Sequence, residues 1–135
     1  MIKEKTLGPE HPEIVWYLSF LASLLQVQGE FAGARPLYER ALAILEKALG
    51  PDSPSTNLAR GNFARLLLDA GNPDEALAIG QTALAAHEKA LGQDDPWTKN
   101  SAGITAAILD ALGRSGEAVA LRARYGLEPD APPAV

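Results

Sequence analysis

Leu49-Gly50-Pro51-Asp52-Ser53-Pro54 decides the fold, because the chain writes this stretch three times. It precedes itself as Leu7-Gly8-Pro9-Glu10-His11-Pro12 and follows as Leu91-Gly92-Gln93-Asp94-Asp95-Pro96, at an offset of 42 residues each time. Working outward, an ungapped comparison of residues 7–48 with 49–90 gives 15 identities in 42. They include Ala22/Ala64, Leu25/Leu67, Gly29/Gly71, Ala34/Ala76, Ala41/Ala83 and Glu46-Lys47-Ala48/Glu88-Lys89-Ala90. A third copy keeps Ala106, Leu109, Gly113 and Ala118 in register and loses the pattern near Tyr125. A register held across the whole unit marks a repeat array, in which each unit buries its apolar face against its neighbours.

Each unit reads as two helices. Pro12, Pro54 and Pro96 fall where the first helical residue belongs, since a missing N–H costs nothing there. Ser53 and Asp95 stand in the N-cap position, which favours short polar side chains, and His11 is a weaker cap. The first helix runs to Gly29, Gly71 or Gly113, residues suited to the left-handed conformation that stops a helix. A short turn makes the second helix antiparallel to the first. It stops at Gly50 and Gly92, and in the third copy near Gly126. Leu18, Leu21, Ala22 and Leu25 fall at i, i+3, i+4 and i+7 and are expected to face the second helix; Ala34, Leu37, Tyr38, Ala41, Leu42 and Leu45 answer from that helix. The recurring alanines fit a close approach of the two helices, where a larger side chain would overpack. Pro36, Gly61, Gly80 and Gly103 break the local helix rules.

The composition narrows the function classes. The chain has 135 residues, 47% apolar but only 6% aromatic, with net charge −5. Alanine and leucine dominate, which suits helices, and no alternating β-branched run calls for a sheet. Lys and Arg form no cluster of the kind a phosphate backbone requires, so no nucleic-acid partner is expected. With no cysteine, disulfides, thiolate metal sites and a cysteine nucleophile are excluded. No apolar run has the roughly 20 residues of a membrane helix, and residues 1–5 form no apolar leader core; a cytoplasmic protein with no membrane partner is the expectation. His11 and His87 are the two histidines. His11 reads as a loop residue and His87 as a cation suited to the end of the second helix. Nothing joins them to carboxylates as a metal site, and no phosphate loop or nucleophile elbow occurs. No catalytic residue, metal or cofactor is expected.

The spacing Gly29-x-Phe31-x-x-Ala34-x-x-x-Tyr38-x-x-Ala41 resembles the tetratricopeptide repeat. The period of 42, with Leu-Gly-Pro-Glu-His-Pro and Ala34-Arg35-Pro36-Leu37-Tyr38-Glu39-Arg40-Ala41-Leu42, resembles its kinesin-light-chain type, in which a proline at Pro36 is typical. The resemblance covers about residues 7–124, and in the third copy Ser115 and Arg122 replace the aromatics. It implies an all-α, right-handed α-solenoid of antiparallel helix pairs, with repeats at 7–48, 49–90 and 91–126; the alignment of Lys3-Glu4-Lys5-Thr6 with Leu45-Glu46-Lys47-Ala48 reads 1–6 as the end of a preceding helix, and the Pro-rich stretch 127–135 reads as a disordered tail. It also implies a concave face lined by the first helices, which in kinesin light chains binds short peptides of cargo adaptors through asparagines and basic residues. Asn62 matches such an asparagine; its counterparts here are Phe20 and Ile104.

Helical geometry offsets that groove face by roughly 130° from the side facing the second helix. It carries Trp16, Ser19, Ser23 and Gln26, then Leu58, Gly61, Arg65 and Leu68, then Asn100, Gly103, Ala107 and Asp110. With Asn62 added, the groove candidates are Trp16, Ser19, Ser23, Gln26, Leu58, Asn62, Arg65 and Asn100. Trp16 would be an apolar anchor and Arg65 would hold a carboxylate. The plainer alternative is that Trp16 and Leu58 cover packing between repeats and Arg65 is solvated. The leading expectation is a protein–protein interaction module for a peptide or partner helix. The other is a spacer or self-association array within a larger signalling protein, a homo-oligomer formed through uncovered terminal faces around Ile14, Tyr17 and Leu21.

Overall fold

The computed structural model describes residues 13–127. The expected helix end at 1–6, the His11 loop, the Pro12 helix start and the tail beyond Leu127 lie outside the described residues. Within them the chain forms six α-helices and no strand: α1 (Ile14–Val27), α2 (Phe31–Leu49), α3 (Pro54–Asp69), α4 (Pro73–Leu91), α5 (Pro96–Ala111) and α6 (Ser115–Arg124). Each helix packs on the next, and α3 also touches α5. The result is an all-α solenoid of helix pairs.

The punctuation works as its chemistry demands. Gly29, Gly50, Gly71, Gly92, Gly113 and Gly126 all have positive φ, between 70° and 88°, a region that costs other residues a Cβ clash. After the first helix of each pair, the amides of Glu30, Asn72 and Arg114 turn back to the carbonyls of Leu25, Leu67 and Leu109 at 2.8–2.9 Å. That bond satisfies a carbonyl the helix end would leave orphaned. Pro54 and Pro96 open α3 and α5, and Asp95 caps α5 by accepting from the Trp97 amide at 2.9 Å, whereas Ser53 makes no side-chain cap. Pro36 lies within α2, on its exposed side.

The core is a layer between the helix pairs. Ala22, Ala34, Ala64, Ala76, Ala106 and Ala118 are all fully buried where the two helices of a pair meet. Leu18 and Ala22 face inward as expected. Leu21 does not, since it is 48% exposed. Ile14 departs the other way: it is 2% exposed and packs with Ile44, Leu45 and Ala59, so it is not part of an uncovered flank.

Successive repeats are joined by different chemistry. Between α2 and α3 the packing is mainly apolar, with Tyr38 among Phe63, Leu66 and Leu67 and Leu45 beside Ala59, and buried Thr56 Oγ1 donates to Leu45 O at 3.3 Å. Buried Asn57 clamps the intervening loop by donating to Pro51 O and Ser53 O, both at 2.9 Å. Between α4 and α5, His87 replaces the leucine. It is fully buried, with Nε2 2.9 Å from Pro54 O and Nδ1 2.7 Å from Ser101 Oγ. The carbonyl can only accept, so Nε2 donates to it, while the serine hydroxyl is the hydrogen-bond partner of Nδ1. The sequence-based reading of His87 as a solvent-facing helix-end residue is therefore replaced by a buried ring bridging two repeats. Gly80 lets the same helices close, because a Cβ there would meet Thr105 Oγ1 at 3.1 Å and Ile108 Cδ1 at 3.3 Å. Gly61, expected on the groove face, is buried with its Cα toward Ile104 and Ser101 of α5.

Candidate binding groove

A cleft of about 290 Å³ opens between α1 and α3, floored by the last turns of α2. Leu45 and Leu49 form its base, Trp16 and Ser19 one wall, and Leu58 and Asn62 the other, while Trp97 of α5 closes the end. Its lining is mostly apolar. Trp16 is 74% exposed and Trp97 38%, so both indoles are available to a ligand.

Trp97 is held from two directions. Asp95 fixes the first turn of α5 through the Trp97 amide, and the indole stands edge-on to His87, ring centres 6.0 Å apart at 60°. An edge-to-face pair of this kind sets ring orientation as well as adding contact. The hydrogen-bonded His87 thus ties the repeat junction to a groove wall.

The structure divides the expected groove residues. Trp16, Ser19, Leu58 and Asn62 come together in the cleft. Ser23, Gln26 and Arg65 gather elsewhere, in a polar network tying α1, α2 and α3. The Tyr38 hydroxyl donates to Gln26 Oε1 at 2.8 Å and lies 3.2 Å from Ser23 Oγ. Gln26 Nε2 in turn donates to Asp69 Oδ2 at 2.7 Å, and Arg65 pairs with Asp69 Oδ1 at 3.4 Å across one turn of α3. Arg65 stays 54% exposed, so a ligand carboxylate would compete with Asp69 for it. Asn100 is exposed on α5, outside the cleft. Trp97 was absent from the sequence-based set. It stands one turn before Asn100, at the repeat position of Glu13 and Ser55, both of which line the same cleft. Extending the groove stripe one turn toward the helix starts would have found it.

A second hollow, about 540 Å³, lies on the other side of the array between α4 and α6. Its polar groups satisfy one another: Glu88 accepts from Tyr125 at 2.8 Å and from Arg124 at 3.0 Å. Burial, and then the bond to Glu88, push the Tyr125 hydroxyl above its ordinary value. This larger hollow lacks the paired indoles that favour the groove as a binding site. Ser101 and His87 are a serine–histidine pair in contact, but they are 2% and 0% exposed, and the second ring nitrogen is used by Pro54 O. No substrate reaches them in this arrangement. Among the described residues no group of three or more His, Asp or Glu could hold a metal ion, and no helix is long and apolar enough to cross a membrane.

Comparison with known proteins agrees with this architecture. The tetratricopeptide repeat family matches at residues 13–89 and 55–124. A search of curated proteins gives no significant match. Among solved structures, a Podosopora anserina kinesin light chain protein of nearly identical TPR-like repeats is similar at 30% identity and TM-score 0.80, over 92% of this chain and 59% of that one. BtubC (BKLC) from P. vanneervenii shares the fold at 21% identity and TM-score 0.82, over 99% of this chain and 57% of that one. The chain thus spans less than three fifths of the length of these structures. Repeats of this kind serve generally as protein–protein interaction modules, and on the family match, which takes in most of its length, the chain belongs to the tetratricopeptide repeat family.

Proposed function

We propose that this chain is a protein-binding module that takes a peptide or partner helix in the groove between α1 and α3, with Trp16 and Trp97 as its anchors. The observation that supports this reading most directly is the pair of exposed indoles facing one apolar cleft. Large aromatic side chains in a concave, largely apolar site are where binding energy concentrates. Asn62 and Ser19 add a few polar groups, which fix register more than they add affinity. The ligand that suits this lining is a short segment with one or two large apolar side chains. Arg65, further along α3, would meet a carboxylate at the ligand's other end.

Peptide-array selection followed by titration against indole fluorescence tests the proposal. Trp16→Ala and Trp97→Ala should each weaken a selected peptide by about tenfold or more, the loss of one anchor, with the circular dichroism spectrum unchanged. Arg65→Glu should weaken peptides carrying an acidic end and leave others alone. Peptides that bind equally well to both tryptophan variants would place the ligand elsewhere and overturn the assignment.

A further inference from the structure

The polar groups of the groove indicate which kind of segment it takes. Trp16, Ser19, Ser55, Asn62 and Trp97 all line the cleft. Among the described residues, their two indole N–H groups, two hydroxyls and one side-chain amide make no hydrogen bond within the protein. Further along α1 and α3 the polar side chains pair with one another: Ser23 and Gln26 with Tyr38, and Gln26 and Arg65 with Asp69. The cleft groups are bonded only to water. A ligand keeps affinity there if it replaces those bonds and loses it if it does not.

The inventory leans toward donors. An indole N–H can only donate, a carboxamide brings two N–H groups for one oxygen, and a hydroxyl does either. Val15, Leu45, Leu49, Leu58 and Ala59, the aliphatic part of the lining, have side chains that offer neither. Glu13, also in the lining, already has a partner. The matching ligand therefore supplies carbonyl oxygens and apolar bulk and brings few N–H groups. An ordinary extended peptide carries one N–H per residue, and each one pressed on aliphatic carbon without an acceptor weakens binding. A helix uses its carbonyls internally and leaves the indole donors unanswered. Proline meets all the demands: it has a carbonyl, no N–H and a compact apolar ring. A run of prolines stays in the polyproline II conformation, whose carbonyls have no internal partner.

We infer that the groove between α1 and α3 takes a proline-rich segment in the polyproline II conformation. Its prolyl rings pack on Trp16 and Trp97, and its carbonyls accept from the two indole N–H groups and from Asn62. The inference rests on the groove being the peptide site. Three residues complete a turn of this conformation, so prolines at i and i+3 stand on one side of the ligand, about 9 Å apart, and a Pro-x-x-Pro pattern presents two rings to the two indoles. The ligand is already extended before it docks, so little chain entropy is lost, and aromatic-lined grooves exploit that saving. The receptor side is equally fixed at one end, where the Trp97 amide is held by Asp95 and its ring stands against His87.

Titration of the intact chain with a ten-residue oligoproline, followed by indole fluorescence, tests the inference. The oligoproline should bind and keep its polyproline circular dichroism signature. Alanine in place of two central prolines at i and i+3 restores two N–H groups and should weaken binding by about tenfold or more. N-methylalanine at the same two places keeps the nitrogens without protons and should recover most of that loss. Trp97→Phe keeps a ring and removes one donor, which should weaken the oligoproline by about three- to tenfold with the helix content unchanged. An alanine-substituted peptide that binds as well as the oligoproline overturns the inference, as does N-methylalanine no better than alanine. Oligoproline binding indifferent to Trp97→Phe overturns the role of the indole donor. Array-selected peptides without proline that depend on Trp16 and Trp97, with the oligoproline silent, overturn the proline-rich ligand and leave the groove as the peptide site. Peptides indifferent to both tryptophans overturn the groove and the inference together.

Discussion

Replacing His87 with leucine tests how the second and third repeats are joined. The imidazole is sealed from water and bridges Pro54 O of α3 and Ser101 Oγ of α5. Leucine fills most of the same volume but leaves the serine hydroxyl without its imidazole partner. Leaving a buried polar group unsatisfied costs about 1–3 kcal/mol. Loss of the bond to Pro54 O adds less, because a carbonyl in the first turn of a helix also accepts from within that helix. The expected destabilisation is about 2 kcal/mol, which for a chain of this size lowers Tm by about 6–10 °C. The first junction supplies the control, since Leu45 and Ala59 occupy the corresponding positions there. Adding Ser101→Ala to His87→Leu rebuilds that apolar pair, and stability should return to within about 1 kcal/mol of the starting chain, because removing both partners of a bond is far cheaper than removing one. Urea unfolding followed by circular dichroism, run as a double-mutant cycle, measures the coupling. A His87→Leu variant as stable as the parent, or two substitutions whose effects simply add, would refute the idea that the hydrogen-bonded bridge holds this junction.

Two further outcomes follow from the packing and the ionisation chemistry. Ala76→Trp places an indole where α3 and α4 leave a fully buried alanine; overpacking here should cost at least about 3 kcal/mol, read as a loss of helical signal near ambient temperature, and an unchanged melting temperature would disprove the helix-pair register. The raised Tyr125 value means that folding holds the phenolic proton more tightly than the unfolded chain does. Its contribution to stability is therefore intact below the ordinary tyrosine value near 10 and is lost as pH climbs past it through the raised folded value. Tyr125→Phe should flatten that part of the alkaline stability profile, and identical profiles for the two proteins would contradict it.

The fold was legible because punctuation in this chain is chemical and local. Glycine at each helix stop and proline at each described start of α3 and α5 need no tertiary knowledge to interpret, and the 42-residue offset places both. Half of the groove was legible for a related reason. Trp16, Ser19 and Leu58 share a helical stripe, and stripes are visible in sequence, while Asn62 came from the family resemblance. What periodicity could not supply was the partner across the array. Ser23 and Gln26 lie on the same stripe, yet Tyr38 and Asp69, the latter 43 residues from Gln26, draw them into a network that ties the repeats. His87 looks like any helix-end histidine until Ser101 and Pro54 are seen on either side of it. Leu21 has the spacing of a core residue, and its exposure depends on whether a preceding helix pair lies against α1.

The difference between the two junctions has a consequence for how the array assembles. A solenoid of identical units can zip up one unit out of step, because every surface fits every other. Here the surfaces are not interchangeable. Tyr38 stands where the second unit has Gly80, and a tyrosine at that place would run into Thr105 and Ile108. His87 stands where the first has Leu45, and beside Ala59 it would find no hydroxyl. Each helix pair thus carries a key cut for one neighbour. The order of the units is written into the side chains as well as into the connectivity, so an array spliced with its repeats exchanged would keep every helix signal and still fail to close.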